Sequence, residues 1–204
     1  TQPETAEVFR QVASANRAPI CFADQLGLPA FETSLLGEYQ QRNIKGVLAV
    51  LQVLDSFPVG EAAIRNGLQR VVQNTGLLGR WQQLRDSPRV ICDTAHNREG
   101  LELVIRQLLR QPYQKLHLVL GFVKEKDLNA IMPLFPADAS YYLSRPSIPR
   151  GMDLDRLEHA FRERGLSYRR FDRIADAYAA SLKAAGPDDV IFVGGSNFTV
   201  AEVL

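Results

Sequence analysis

The sequence predicts an α/β fold with a mostly parallel sheet covered on both faces, preceded by a helix-rich segment. Three observations carry the prediction. From residue 79 onward, short apolar runs alternate with helical patterns of roughly 10 to 15 residues, the rhythm of βαβ units. One such run, Val190-Ile191-Phe192-Val193, is apolar at every position, as a strand buried on both faces must be. Before Gly76, by contrast, the apolar residues recur at three and four, with little strand character. The change of pattern sets a domain boundary near Leu78, dividing the chain into residues 1–78 and 79–204.

The elements follow in order. Phe9, Val12 and Ala13 give residues 4–17 helical spacing. Residues 19–23 and 31–35 read as short strands on either side of a loop containing Gly27 and Pro29. Ile44, Val47, Leu48, Leu51 and Leu54 line one face of a strong helix with Asn43 near its start. Ile64, Leu68, Val71 and Val72 repeat that pattern over residues 60–73.

Residues 81–84 and 89–93 are strands joined by Arg85-Asp86-Ser87-Pro88, a turn composition suited to a hairpin. A helix with Leu101, Val104, Ile105, Leu108 and Leu109 on one face comes next, then a strand over 115–120 and a short helix over 127–134. A strand over 140–143, a helix over 153–164, a strand over 168–171 and a helix over 174–185 precede the apolar strand 190–193. A last helix starts near Asn197.

With 204 residues, 46% hydrophobic and 23% charged, the chain has ordinary globular composition. Its net charge of +1, with mixed signs throughout, gives no nucleic-acid footprint. No apolar run approaches the roughly 20 residues that span a bilayer, and Thr1-Gln2-Pro3-Glu4 has no signal-peptide pattern. The expectation is a cytoplasmic monomer with no membrane partner. Cys21 and Cys92 lie in apolar runs without a nearby partner cysteine, and both are expected as buried free thiols. With no initiator Met and a first helix that has nothing before it to complete a fold, the chain is expected to be a fragment.

The chemistry centres on Asp93-Thr94-Ala95-His96-Asn97. This stretch closes an apolar strand and opens a helix, and in open α/β sheets ligands bind at that kind of junction. An Asp ending a strand and an Asn capping a helix would serve equally as loop chemistry. The surrounding motifs favour the functional reading: Leu36-Gly37-Glu38-Tyr39-Gln40-Gln41-Arg42-Asn43, Gly79-Arg80, Lys124-Glu125-Lys126-Asp127 after Gly121, Arg150-Gly151 and Gly194-Gly195-Ser196. In this order they resemble the carboxyl-terminal half of folylpolyglutamate synthase, the folate member of the Mur ligase superfamily.

The resemblance implies a Rossmann-like carboxyl-terminal domain over 79–204 and a truncated, helix-rich remnant of the central ATP-binding domain over 1–78. It implies that Asn43 contacts adenine, whose edge an amide can match as donor and acceptor. It makes Arg80 a ligand of the nucleotide phosphates, a role suited to a permanent bidentate cation. Asp93 would receive the ribose hydroxyls, and His96 would lie at the nucleotide as the catalytic-side residue. Lys126, Arg150 and Ser196 fall on the glutamate side. Tyr39 stands where the family has His, Thr94 where it has Gly, and Arg98 where it often has Pro.

The implied reaction is ATP-dependent amide formation: a carboxylate becomes an acyl phosphate, which the amino group of glutamate attacks. Substrates would be ATP, glutamate and dihydropteroate or a reduced folate, with Mg2+ as metal. The Gly-x-x-x-x-Gly-Lys-Ser/Thr phosphate loop is absent from these residues. It and the metal ligands are expected upstream of Thr1, so the fragment alone should be inactive. Rival readings are a peptidoglycan Mur ligase and a non-catalytic nucleotide-binding or interaction domain. A phosphatase using Asp93 would want an acid two residues later, where Ala95 stands.

Overall fold

The computed structural model describes residues 1–54 and 56–204. They form two compact units, Thr1–Gly76 and Leu77–Leu204, divided two residues before the expected end of the first segment at Leu78.

The first unit is helical: α1 (Pro3–Ala15), α2 (Gln40–Gln52), α3 (Glu61–Gln69) and α4 (Val71–Thr75). Pro3 opens α1, where its missing N–H costs nothing. Ile44 and Leu48, one turn apart on α2, bury themselves with Phe31, and Leu28, Ile64 and Leu68 pack around them. That core is small. Val8, Phe9 and Val12 of α1 are each more than half exposed.

Neither strand expected in this unit forms. Residues 19–22 are irregular, Ala23–Gln25 is a 3-10 turn, and residues 31–35 are irregular as well. A strand needs a neighbour for its backbone groups, and this unit contains no other strand among the described residues. Phe31 enters the core as a single anchor, and Cys21 is exposed, which corrects the expectation of a buried thiol. The helix expected over 60–73 breaks at Arg70, and α4 then ends on Gly76, whose φ of 65° is a glycine conformation.

The second unit is built on one six-stranded sheet of order β1-β2-β6-β3-β4-β5. The strands are β1 (Gln82–Asp86), β2 (Arg89–Cys92), β3 (Leu116–Leu120), β4 (Ser140–Leu143), β5 (Tyr168–Arg170) and β6 (Val190–Gly194). Only β1, paired to β2 as a hairpin through Ser87-Pro88, is antiparallel. The connecting helices are α5 (Arg98–Leu109), α6 (Leu128–Ile131), α7 (Leu154–Glu163) and α8 (Ile174–Ala184), and α9 (Asn197–Ala201) follows β6. The helix expected over 127–134 shortens to α6 plus a 3-10 turn, Met132–Leu134. Pro133 is the physical reason: it has no N–H to donate, so the α-helical hydrogen-bond ladder cannot continue through it.

Alternation along the strands sorts the core into two layers. Val90, Cys92, Val119, Tyr142, Ile191 and Val193 meet Ala177 of α8 and Val200 of α9. The opposite parity, Ile91, Phe192, Leu118 and Tyr141, lies in register on the other face, where Tyr141 packs edge-on against Phe161 of α7 at 5.0 Å. The chain leaves β2, crosses to β3, and only later returns through α8 to insert β6 between them. Helices after β2 and β6 therefore depart to opposite faces, opening a crevice at the carboxyl ends of these strands.

Candidate functional site

Four loops converge at that crevice because the strands ending there are hydrogen-bonded neighbours. Asp93 N–H donates to Val193 O at 3.2 Å, and Gly121 N–H donates to Gly194 O at 3.3 Å. The Thr199 hydroxyl donates to Gly121 O at 2.7 Å, tying the start of α9 to the end of β3. A Cβ added at Gly195 would lie 2.7 Å from the same Gly121 oxygen, so only glycine fits where these loops cross.

Asp93 is 1% exposed, and its carboxylate serves the backbone. One oxygen accepts Trp81 N–H at 2.7 Å, and the other accepts Ala95 N–H at 2.8 Å. Such charge-assisted bonds are the strong ones. They hold a turn in which Gly79 has φ 70° and Trp81 φ 47°, the latter a strained conformation for a bulky residue. Thr94 N–H donates to Gly79 O at 2.9 Å and fastens the turn from its other side. Arg80 sits in this pinned turn, partly exposed.

Asn97 caps α5 by accepting Gly100 N–H at 2.9 Å. His96 is exposed, with Nδ1 3.1 Å from Thr94 O. A carbonyl only accepts, so Nδ1 is the donor in this contact. Beside them, burial and the Asp93 charge push the Cys92 thiol up to about 12, which removes it as a nucleophile near neutral pH.

The loops that carry Lys126 and Arg150 also meet. Val123 bridges Gly151, Lys124 N–H donates to Arg150 O at 2.9 Å, and Met152 N–H donates to Phe122 O at 2.8 Å. Arg150 forms an exposed ion pair with Glu125 at 3.2 Å. Ser196 is 2% exposed, and its hydroxyl caps α9 by accepting Thr199 N–H at 3.0 Å. Asp127 caps α6 in the same way.

Asn43 belongs to the first unit. It is the fourth residue of α2, not its cap, and its amide donates to Gln40 Oε1 at 2.8 Å. Among the described residues no group of three or more His, Cys, Asp or Glu could hold a metal. A cleft of about 550 Å³ lined by Asp86, Arg89, Tyr113 and Asp189 lies at the amino ends of β2 and β6, away from these loops.

The sequence pattern did not single out Thr199, Arg156 or Glu202. Arg156 of α7 donates to the carbonyls of Lys124 and Lys126, and Glu202 receives the N–H of Ser147 at 2.6 Å. Their partners are backbone groups 30 to 55 residues away in sequence, and no local motif encodes such a contact.

Residues 79–197 match the family described as Mur ligase, glutamate ligase domain. A Haloferax volcanii relative, named a probable bifunctional folylpolyglutamate synthase/dihydropteroate synthase, is 32% identical over 169 residues, covering 82% of this chain and 20% of the relative. The Escherichia coli dihydrofolate synthase/folylpolyglutamate synthase is 30% identical over 167 residues, 80% of this chain and 37% of that protein. The solved Yersinia pestis bifunctional folylpolyglutamate synthase/dihydrofolate synthase complexed with AMPPNP and Mn ion is 26% identical. It superposes with a TM-score of 0.76, over 98% of this chain and 50% of that one. The chain thus spans between one fifth and one half of these relatives. Its sheet order, its Asp93–Asn97 junction and the match over more than half its length converge on one conclusion: the chain belongs to the Mur ligase family, through the glutamate ligase domain.

Proposed function

We propose that the natural protein carrying this chain is an ATP-dependent ligase joining L-glutamate to dihydropteroate, to reduced folates, or to both. The observation that carries the proposal is the Asp93–Asn97 junction, which lies at the carboxyl end of the sheet within the matched residues 79–197 and beside the pinned Arg80 turn. The names of the Haloferax and Escherichia coli relatives, and the AMPPNP of the Yersinia structure, support the same reading.

In this reading residues 79–204 are the carboxyl-terminal ligase domain, and residues 1–78 are the end of the central ATP-binding domain. Arg80, held by the turn, neutralises phosphate oxygens. His96 offers Nε2 to the nucleotide, and Asn43 reads the adenine. Asp93 keeps the Arg80 turn in place and would accept the ribose hydroxyls. Lys126 and Arg150 supply cationic charge for the carboxylates of glutamate, and the Ser196 loop closes that side through its backbone.

The chemistry balances simply. The γ-phosphoryl group of ATP passes to a substrate carboxylate, leaving ADP. The glutamate amine then attacks the acyl carbon, phosphate departs, and the amine loses a proton. Barrier lowering rests on fixed charge and positioning. Mg2+ is the metal proposed for the whole enzyme; the described residues hold no cluster for it and receive no metal-binding role. The proposal includes a cytoplasmic, monomeric enzyme, and no ligase activity from these 204 residues alone.

The test offers full-length protein ATP, Mg2+ and glutamate with dihydropteroate or tetrahydrofolate, following products by mass. Glutamate added to either acceptor supports the proposal, and the acceptor used assigns the branch. Folded, ATP-binding protein that adds glutamate to neither acceptor overturns it.

A further inference from the structure

We propose that Arg156 is a positioning residue for the amino-acid side of the site. It acts through the Lys124–Lys126 backbone to set where Lys126 and Arg150 meet the incoming glutamate. The inference rests on the ligase reading above and deepens it.

The argument starts from a guanidinium on the first turn of α7 that points at backbone. Its Nη1 donates to Lys124 O at 2.7 Å and its Nη2 donates to Lys126 O at 3.0 Å. These carbonyls lie in a turn closed by Lys126 N–H donating to Val123 O at 3.1 Å. Two forked donors on two carbonyls two residues apart fix both the position and the rotation of that turn, as one ammonium could not.

The turn is also tied to its neighbour. Val123 bridges Gly151, Lys124 N–H reaches Arg150 O, and the Glu125 carboxylate holds the Arg150 side chain. Moving the Lys124–Lys126 backbone therefore moves Arg150 with it. The far side of the Arg150 loop is anchored separately, by Ser147 N–H on Glu202 at 2.6 Å. Arg156 thus braces the edge of the two-loop unit that Glu202 does not reach. α7 itself is seated by Leu157 and Phe161, both fully buried, so the brace stands on a fixed element.

The consequence is a selective one. Loss of the brace should loosen the groups that receive glutamate and leave the Arg80 turn, fastened by Asp93 and Thr94, unchanged. The full-length protein with Arg156→Ala is expected to show a glutamate KM raised roughly 10-fold or more, because misplacement by an ångström is enough for such losses. Its KM for ATP should remain within about two-fold, as expected of a loss confined to one subsite. Arg156→Lys, retaining one donor head, should recover part of the glutamate KM.

Thermal unfolding is followed for each variant. If Arg156→Ala does not stay folded, Arg156→Lys carries the same readout. An unchanged glutamate KM in a folded Arg156→Ala protein overturns the brace. So does an equal rise in the KM of ATP and glutamate. Wild-type protein that forms no glutamyl product at all would instead remove the ligase reading, which separates the two failures.

Discussion

Asp93 shows how one side chain can support a site while being almost closed to solvent. Both of its oxygens receive backbone N–H groups, from Trp81 and Ala95, and so it holds the left-handed Trp81 next to Arg80. Asp93→Asn replaces one acceptor by an NH2 facing an N–H donor and removes the charge from both bonds. The expected cost is about 1–3 kcal/mol of stability, the range for leaving a buried donor unpaired. Urea unfolding of the two proteins measures it. A variant as stable as the parent would show that the carboxylate does not hold the turn. The motif 93–97 was legible in the sequence, as were Asn97 and Asp127 as helix caps. The Trp81 bond was not, because it joins residues 12 apart across a strand pair.

At the scale of elements, the two loops flanking the hairpin are fitted to each other residue by residue. Gly79 has φ 70°, and a Cβ there would lie 2.7 Å from the Thr94 methyl group. Thr94, where the resembling family has Gly, therefore packs directly over the Arg80 turn. Gly79→Ala should destabilise by at least the roughly 1–2 kcal/mol of a left-handed alanine, with the clash added. In a Thr94→Gly background only the closer approach to Val200, at 3.2 Å, remains, and the same substitution should cost less. The double-mutant cycle reads this coupling directly, and additive costs would contradict the fit. The same scale explains the errors in the first unit. Residues 19–23 and 31–35 have strand-like composition, but a strand exists only with a partner, and the unit supplies none among its described residues.

Across the whole second unit, the sheet is joined near its amino ends by a buried polar chain. His117 of β3 lies 3.0 Å from the Tyr142 hydroxyl of β4 and 3.2 Å from Asp189, just before β6. Burial alone would raise the Asp189 carboxyl. The Gly186 N–H, the His117 ring and the Lys115 N–H outweigh it and hold the group below its ordinary 3.8. A folded-state value below the unfolded one gives stability that is fully present above that ordinary value and is lost as pH falls through the folded value. Asp189→Asn should therefore lower stability at neutral pH and flatten the loss on acidification below about pH 4. Unfolding midpoints measured from pH 7 to pH 2.5 give the slope, and an unchanged acid limb in the variant would remove Asp189 from the account. The alternation of apolar strands and amphipathic helices was enough to specify a parallel, doubly covered sheet, because burial on each face imposes its own period on the residues. The order of the strands, the return of β6 between β2 and β3, and the meeting of Asp93 with Trp81 and of Arg156 with the Lys124–Lys126 turn were decided only in the folded chain. Each of those side-chain contacts ends on a backbone group that almost any residue type could contribute, and a backbone partner leaves no mark in a sequence.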